Sequence, residues 1–102
     1  MATVYVTMGQ AGASSAPAGP NLPVWQNDAR SETITSSGAS AAGSLEAQSK
    51  EILMIYCETG VYCHVSPAPG TACTATNGRF VKPLIGADIN LLKGDVVTVI
   101  DA

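Results

Sequence analysis

Bulky apolar residues alternate with polar ones at both ends of the chain and are sparse between. Thr3, Tyr5 and Thr7 alternate with Val4, Val6 and Met8. This period of two, with β-branched residues, predicts a strand that Gly9 ends. From 9 to 49 the chain is mostly Gly, Ala, Ser and Pro. Pro17, Pro20 and Pro23 remove backbone donors and Gly9, Gly12 and Gly19 loosen the chain, so regular structure is not expected at 9–23. Glu32-Thr33-Ile34-Thr35 reads as a short strand, and the Ser/Gly/Ala run 36–44 as a flexible loop. Leu45 to Lys50 suits either one helical turn or, the favoured reading, a lead into the next strand.

Residues 51–102 read as a near-continuous series of strands. Glu51 to Glu58 is apolar on both faces, as a fully buried strand is. With Glu58-Thr59-Gly60 as a turn, it is expected to form a hairpin with Val61 to Val65. A loop with Pro67 and Pro69 follows, then a short edge strand at Thr71 to Ala75 and a turn at Asn77-Gly78, where both residues tolerate positive φ. Further strands are expected at Arg79 to Lys82, stopped by Pro83, at Ala87 to Leu92, and at Val96 to Ile100 after the Lys93-Gly94-Asp95 turn. Seven or eight strands with turns every 8–12 residues predict an all-β fold, a small antiparallel β-sandwich or jelly-roll-like domain with an extended N-terminal arm. The expected division is 1–45 for the first strand plus the small-residue arm, and 46–102 for the core domain.

Composition sharpens this. The 102 residues suffice for one domain, and much of the 46% hydrophobic content is Ala. Ordering an arm of about 40 residues costs roughly 1–2 kcal/mol per residue in backbone entropy. The small core hardly offsets that, so the arm is expected to be ordered by partners. Leu22, Val24 and Trp25 are its bulky spot. Trp25 either folds back onto the domain or anchors the arm in a neighbouring subunit, as Trp often does at interface hot spots. Charged residues are only 13%, the net charge is −3, and the five basic residues are scattered. That argues against a nucleic-acid partner. No apolar run reaches the ~18 residues that span a bilayer, and the N-terminus lacks a signal-peptide pattern, so no membrane partner and synthesis in a cytoplasm are expected.

The candidates for chemistry are thin. Cys57, Cys63, His64 and Cys73 are the soft-ligand set, but no Cys-x₂₋₄-Cys pair is present. Neighbouring strand residues face opposite ways, so Cys63 and His64 do not converge on one metal or form a nucleophile–base pair. The thiols read as small buried hydrophobes, with a Cys57–Cys63 disulfide open if the strands bring them close. The eight carboxylates show no paired spacing. No catalytic, cofactor or metal site is expected, and an enzyme is the least favoured class.

The order of elements from about residue 46 resembles that of small tailed-bacteriophage virion proteins. The likeness lies in the Ser/Ala/Gly loop 36–44, the runs Ile52 to Tyr56 and Val61 to Val65, the loop Ser66-Pro67-Ala68-Pro69-Gly70-Thr71-Ala72, and the ending Lys93-Gly94-Asp95-Val96-Val97-Thr98-Val99-Ile100. The Ala-Thr-Val-Tyr-Val-Thr start is similar too. The three cysteines and the Pro-rich arm depart from the pattern. The resemblance implies a structural virion subunit, made in the host cytoplasm, that decorates or cements the assembled head. It would bind the major capsid protein as a homo-oligomer, a trimer being one form. A tail or head–tail connector component is the alternative within that class. A small carbohydrate- or ligand-binding β-sandwich is the alternative outside it.

Overall fold

The computed structural model describes residues 2–13, 23–25 and 29–102, with backbone alone for 11–13 and 23–25. The described residues hold ten strands and no helix. In chain order they are β1 Thr3–Gly9, β2 Ala11–Ala13, β3 Pro23–Trp25, β4 Arg30–Thr35, β5 Ala41–Ala42, β6 Ile52–Cys57, β7 Val61–Pro67, β8 Arg79–Val81, β9 Ala87–Asn90 and β10 Asp95–Asp101. One four-stranded antiparallel sheet runs β4-β1-β6-β9, and a second runs β5-β10-β7-β8. β2 and β3 form a separate two-stranded ribbon, which corrects the expectation of no regular structure at 9–23: backbone pairing needs no bulky side chain, and Pro23 opens its strand, where a missing donor is tolerated. The molecule is thus an all-β, sandwich-like fold.

Strand alternation builds its core. In β1 the Val4, Val6 and Met8 side points inward and is fully buried, while Thr3 and Tyr5 are exposed. Leu53, Ile55 and Cys57 of β6 face the same interior, as do Val61 and Cys63 of β7, Val81 of β8, and Val97 and Val99 of β10. Each fully buried Val, Leu or Ile contributes about 1.5–3 kcal/mol. The first strand is therefore central to both sheet and core.

Four further expectations are corrected. First, β6 and β7 are not a hairpin. β6 pairs with β1 and β9, and β7 pairs with β10 and β8. Glu58-Thr59-Gly60 instead carries the chain from one sheet to the other. Both strands bear an inward apolar row, and crossing over sets those rows face to face. Period-two patterning cannot distinguish that arrangement from side-by-side pairing. The Phe80 ring lies over Gly60, where a Cβ would stand 2.9 Å from its Cε1.

Second, the boundary at 45/46 divides no core: β1 and β4 share a sheet with β6 and β9. Third, the 36–44 run is not a free loop. Ser36 is fully buried, β5 pairs with β10, and the Gly43 amide donates to Val97 O at 2.9 Å. Small residues here dock by backbone hydrogen bonds rather than by apolar area. Fourth, Thr71 to Ala75 is not a strand. Its amides are satisfied by side chains instead: Thr71 by Ser66 Oγ at 2.7 Å, Cys73 by Ser40 Oγ at 2.8 Å and Thr74 by Asn77 Oδ1 at 2.7 Å.

Residues 43–51 close one side of the sandwich. The Glu32 carboxylate on β4 accepts from the Ser44 amide at 2.9 Å, the Ser44 hydroxyl at 2.5 Å and the Leu45 amide at 3.1 Å. It lies directly against Gly43, leaving no room for a Cβ there. On the other side, Ala47 N donates to Asp95 O and Gly94 N to Ala47 O, both at 2.8 Å. Deeper in, buried Glu51 pairs with Arg30 of β4 and accepts from the Gln48 amide at 2.6 Å. Arg30 also donates to Glu46 O at 3.2 Å.

Arg30→Met should therefore leave the Glu51 carboxylate buried without its counter-ion. The expected loss is about 2–3 kcal/mol, short of the full buried-pair penalty because Arg30 is itself a third exposed. A urea-denaturation midpoint unchanged from the parent would contradict this.

Burial pushes the Glu32 carboxyl up, but the Ser44 hydroxyl and the Leu45 and Ser44 amides outweigh it, leaving the pKa below its ordinary 4.5. A carboxyl depressed by folding stabilises above its unfolded value, and that contribution disappears as pH falls through the lower folded value. Urea midpoints measured across acidic pH should show Glu32→Gln least stable relative to the parent above about pH 5, with the gap narrowing in more acidic solution.

Candidate functional site

The two outer faces of the sandwich differ. Over β7 and β10, residues 68–78 form a cover. Gly70 sits against Val96, where a Cβ would come within 2.7 Å of Cγ2, and Thr98 Oγ1 donates to Thr71 O at 2.9 Å. Val96, Thr98 and Ser66 are buried beneath it, and so is Cys73 of the cover itself. No such segment covers the outer face of the β4-β1-β6-β9 sheet among the described residues. Tyr5 there is 47% exposed and Met54 38%.

Register places Tyr5 of β1 opposite Tyr56 of β6, with Thr7 opposite Met54 and Met54 opposite Asp88 of β9. The two tyrosine rings lie 6.2 Å apart, tilted by 47°. Directly opposed aromatic side chains are favourable sheet pairs, so this one fixes both rings on the surface. A depression of about 200 Å³ lies on the Tyr5 side, lined by Thr3 and Glu58 among others. Another, of about 330 Å³, lies on the Tyr56 side, lined by Met54, Ile85 and Asp88 among others.

Beside the second depression stands the turn from β8 to β9. Leu84 and Ile85 are 68% and 75% exposed. Leu84 has φ of 65°, a left-handed conformation that bulky side chains rarely adopt. Its amide donates to Cys57 O at 2.8 Å, and Gly86 N donates to Lys82 O at 3.0 Å. Gly86, at φ 76°, passes so near β6 that a Cβ would stand 2.5 Å from Ile55 O. The apolar tip is therefore held rigidly, in a conformation that costs on the order of 1–3 kcal/mol.

Leu22, expected as an arm anchor, lies outside the described residues. Val24 and Trp25 fall on β3, opposite Gly12 and Ala11, and their side chains lie outside the described residues. The signal for the tip was present in Pro83-Leu84-Ile85-Gly86: two large aliphatics between a strand-stopping Pro and a Gly have no strand to carry them inward. Tyr5 was legible too, on the Thr3-Thr7 side of β1.

The soft-ligand set disperses. Cys63 points into the core, whereas His64 is half-buried with Nδ1 3.1 Å from Asn77 O. Cys57, Cys63 and Cys73 are buried free thiols. Among the described residues, no three His, Cys, Asp or Glu side chains are grouped to hold a metal, and no helix is long and apolar enough to cross a membrane.

No family model matches the chain, and searches of curated proteins and of solved structures find no match either. What the geometry defines is a class: an all-β sandwich with one covered face and one open face.

Burial, and next the neighbouring Cys73, pushes the Cys63 thiol up to about 11. Burial also raises Cys57 and Cys73. Since the thiolate is the reactive form, a thiol-reactive probe at neutral pH should modify the native protein slowly and all three cysteines quickly once it is denatured. Rapid labelling of Cys63 in the native state would refute its placement.

Proposed function

We propose that this protein is a structural assembly subunit of the virion-decoration kind, binding an assembled shell of major capsid protein through the open face. One observation carries the reading: Leu84 and Ile85 are presented to solvent on a strained, hydrogen-bonded turn beside an exposed Tyr–Met surface. Isolated exposed aliphatics are ordinary. A contiguous apolar surface with a rigid tip is a feature of interaction sites. Large side chains entering a desolvated partner pocket supply most of an interface's energy. A rigid tip enters at little entropic cost.

On this reading the protein works by mass action and not by catalysis. A subunit that binds the assembled shell and not its separated parts stabilises the shell in proportion to site occupancy. Copies of the chain would occupy symmetry-related positions, with a trimer suited to a local three-fold. Residues 1–45 supply β1 and β4 to the binding sheet as well as the small-residue stretch that would lie along neighbouring subunits.

The test is the double variant Leu84→Ser, Ile85→Ser. Binding to shells should weaken by about thirtyfold or more, the scale of a lost hot spot. Thermal unfolding should barely move, because both side chains are already exposed. Unchanged shell binding would overturn the assignment of this face. Shell binding lost in parallel with folding would move the tip from interface to core.

A further inference from the structure

The open face has an electrostatic character that the apolar tip does not explain. Glu58, the residue that follows β6, lines the depression on the Tyr5 side together with Thr3. Asp88 stands across from Met54 on β9. One carboxylate therefore lines each depression, with the tyrosine pair between them, and neither depression is lined by Lys or Arg. The chain as a whole carries net charge −3.

Each tyrosine ring presents a negative face and a positive edge. Two rings tilted by 47° at 6.2 Å form a shallow wedge, of which Tyr5 is 47% exposed. A cation held within about 6 Å of a ring centroid is attracted by the ring's quadrupole, and adjacent carboxylates strengthen that attraction. A guanidinium or ammonium on an aliphatic stem suits all three features at once. Its stem would lie along Met54 and Ile85, its charge over the rings, and its donors toward a carboxylate.

We infer that the Tyr5–Tyr56 wedge, flanked by Glu58 and Asp88, receives a basic side chain, arginine or lysine, projecting from the partner protein that docks on this face. This deepens the assembly reading and rests on it. The apolar tip supplies contact area, and the wedge supplies selection for a partner with a positive charge at a fixed distance from an apolar pocket.

The test uses the full-length protein free of any shell. Ring-proton NMR signals of Tyr5 and Tyr56 are followed during titration with capped glycine–arginine–glycine and glycine–lysine–glycine peptides. The glycine–citrulline–glycine peptide serves as a nearly isosteric neutral control, and maltotriose as a neutral saccharide. Saturable shifts with the basic peptides, weaker in about 0.5 M salt, are expected, with citrulline at least about threefold weaker. The double variant Glu58→Gln, Asp88→Asn should lose that preference. Tyr5→Phe, which keeps the ring face, should retain binding, and Tyr5→Leu should lose it. All of these positions are exposed or half-buried, so folding is not at risk.

Equal shifts with citrulline would show a purely apolar contact and overturn the inference. Saturation by maltotriose without response to the basic peptides would overturn it in favour of a saccharide site. Absence of shifts with every peptide would overturn it as well. The shell-binding result for the Leu84/Ile85 variant is independent of these peptides. Failure of the wedge and failure of the assembly reading are thereby told apart.

Discussion

The fold depends on how its two sheets are joined along the side where β4 and β10 run. The core between them is made largely of valines and other medium-sized side chains, with no buried aromatic ring among its largest members. Such a core supplies modest energy for closure. The Glu32 carboxylate supplies what apolar area does not, gathering the Ser44 and Leu45 amides onto β4 while the same segment bonds to β10 through Gly43 and Ala47. Charge-assisted hydrogen bonds of this kind are roughly twice as strong as neutral ones. They also fix geometry, since one half-buried carboxylate holds three donors of the same segment at once. At the far end Ser36 plays a related part: its hydroxyl accepts from Ala2 N at 3.0 Å and reaches the Asp101 carboxylate, linking the first sheet to the last strand of the second.

This mode of closure accounts for the unusual composition of 36–49. Bulky side chains would hold that segment away from the strand edges. Gly43 must lie flat against the Glu32 carboxylate, and Ala47 fits beneath the surface because it is small. A stretch that looks like a linker by composition is thus a docked edge, stabilised by backbone donors and acceptors that hydropathy does not register.

Legibility followed the same physics. β1, β6 and β10 were visible because alternation or β-branched runs mark strands directly. Which strands pair was not visible where two inward-facing rows of equal length adjoin a short turn. Ile52–Cys57 and Val61–Pro67 satisfy side-by-side pairing and crossing-over equally well, and only the demands of β1, β9, β8 and β10 for partners decide the matter. The antiparallel sandwich class could be reached without resolving that choice. The open face could not, since it depends on which sheet residues 68–78 cover.

The covered and open faces also explain each other. Residues 68–78 lie over Val96 and Thr98 with their amides satisfied by Ser66, Ser40 and Asn77, so one sheet finds an internal partner. The opposite sheet carries threonines, tyrosines and a methionine, a surface that water tolerates but does not require. A Tyr–Tyr pair on such a face has a wet hydroxyl end and an apolar ring, the combination that lets one surface stay soluble when free and desolvate when bound. The strained Leu84 turn then has a physical rationale. The Leu84 amide donates to Cys57 O at 2.8 Å and so ties the β8–β9 connection to β6, while the left-handed backbone leaves the side chain 68% exposed.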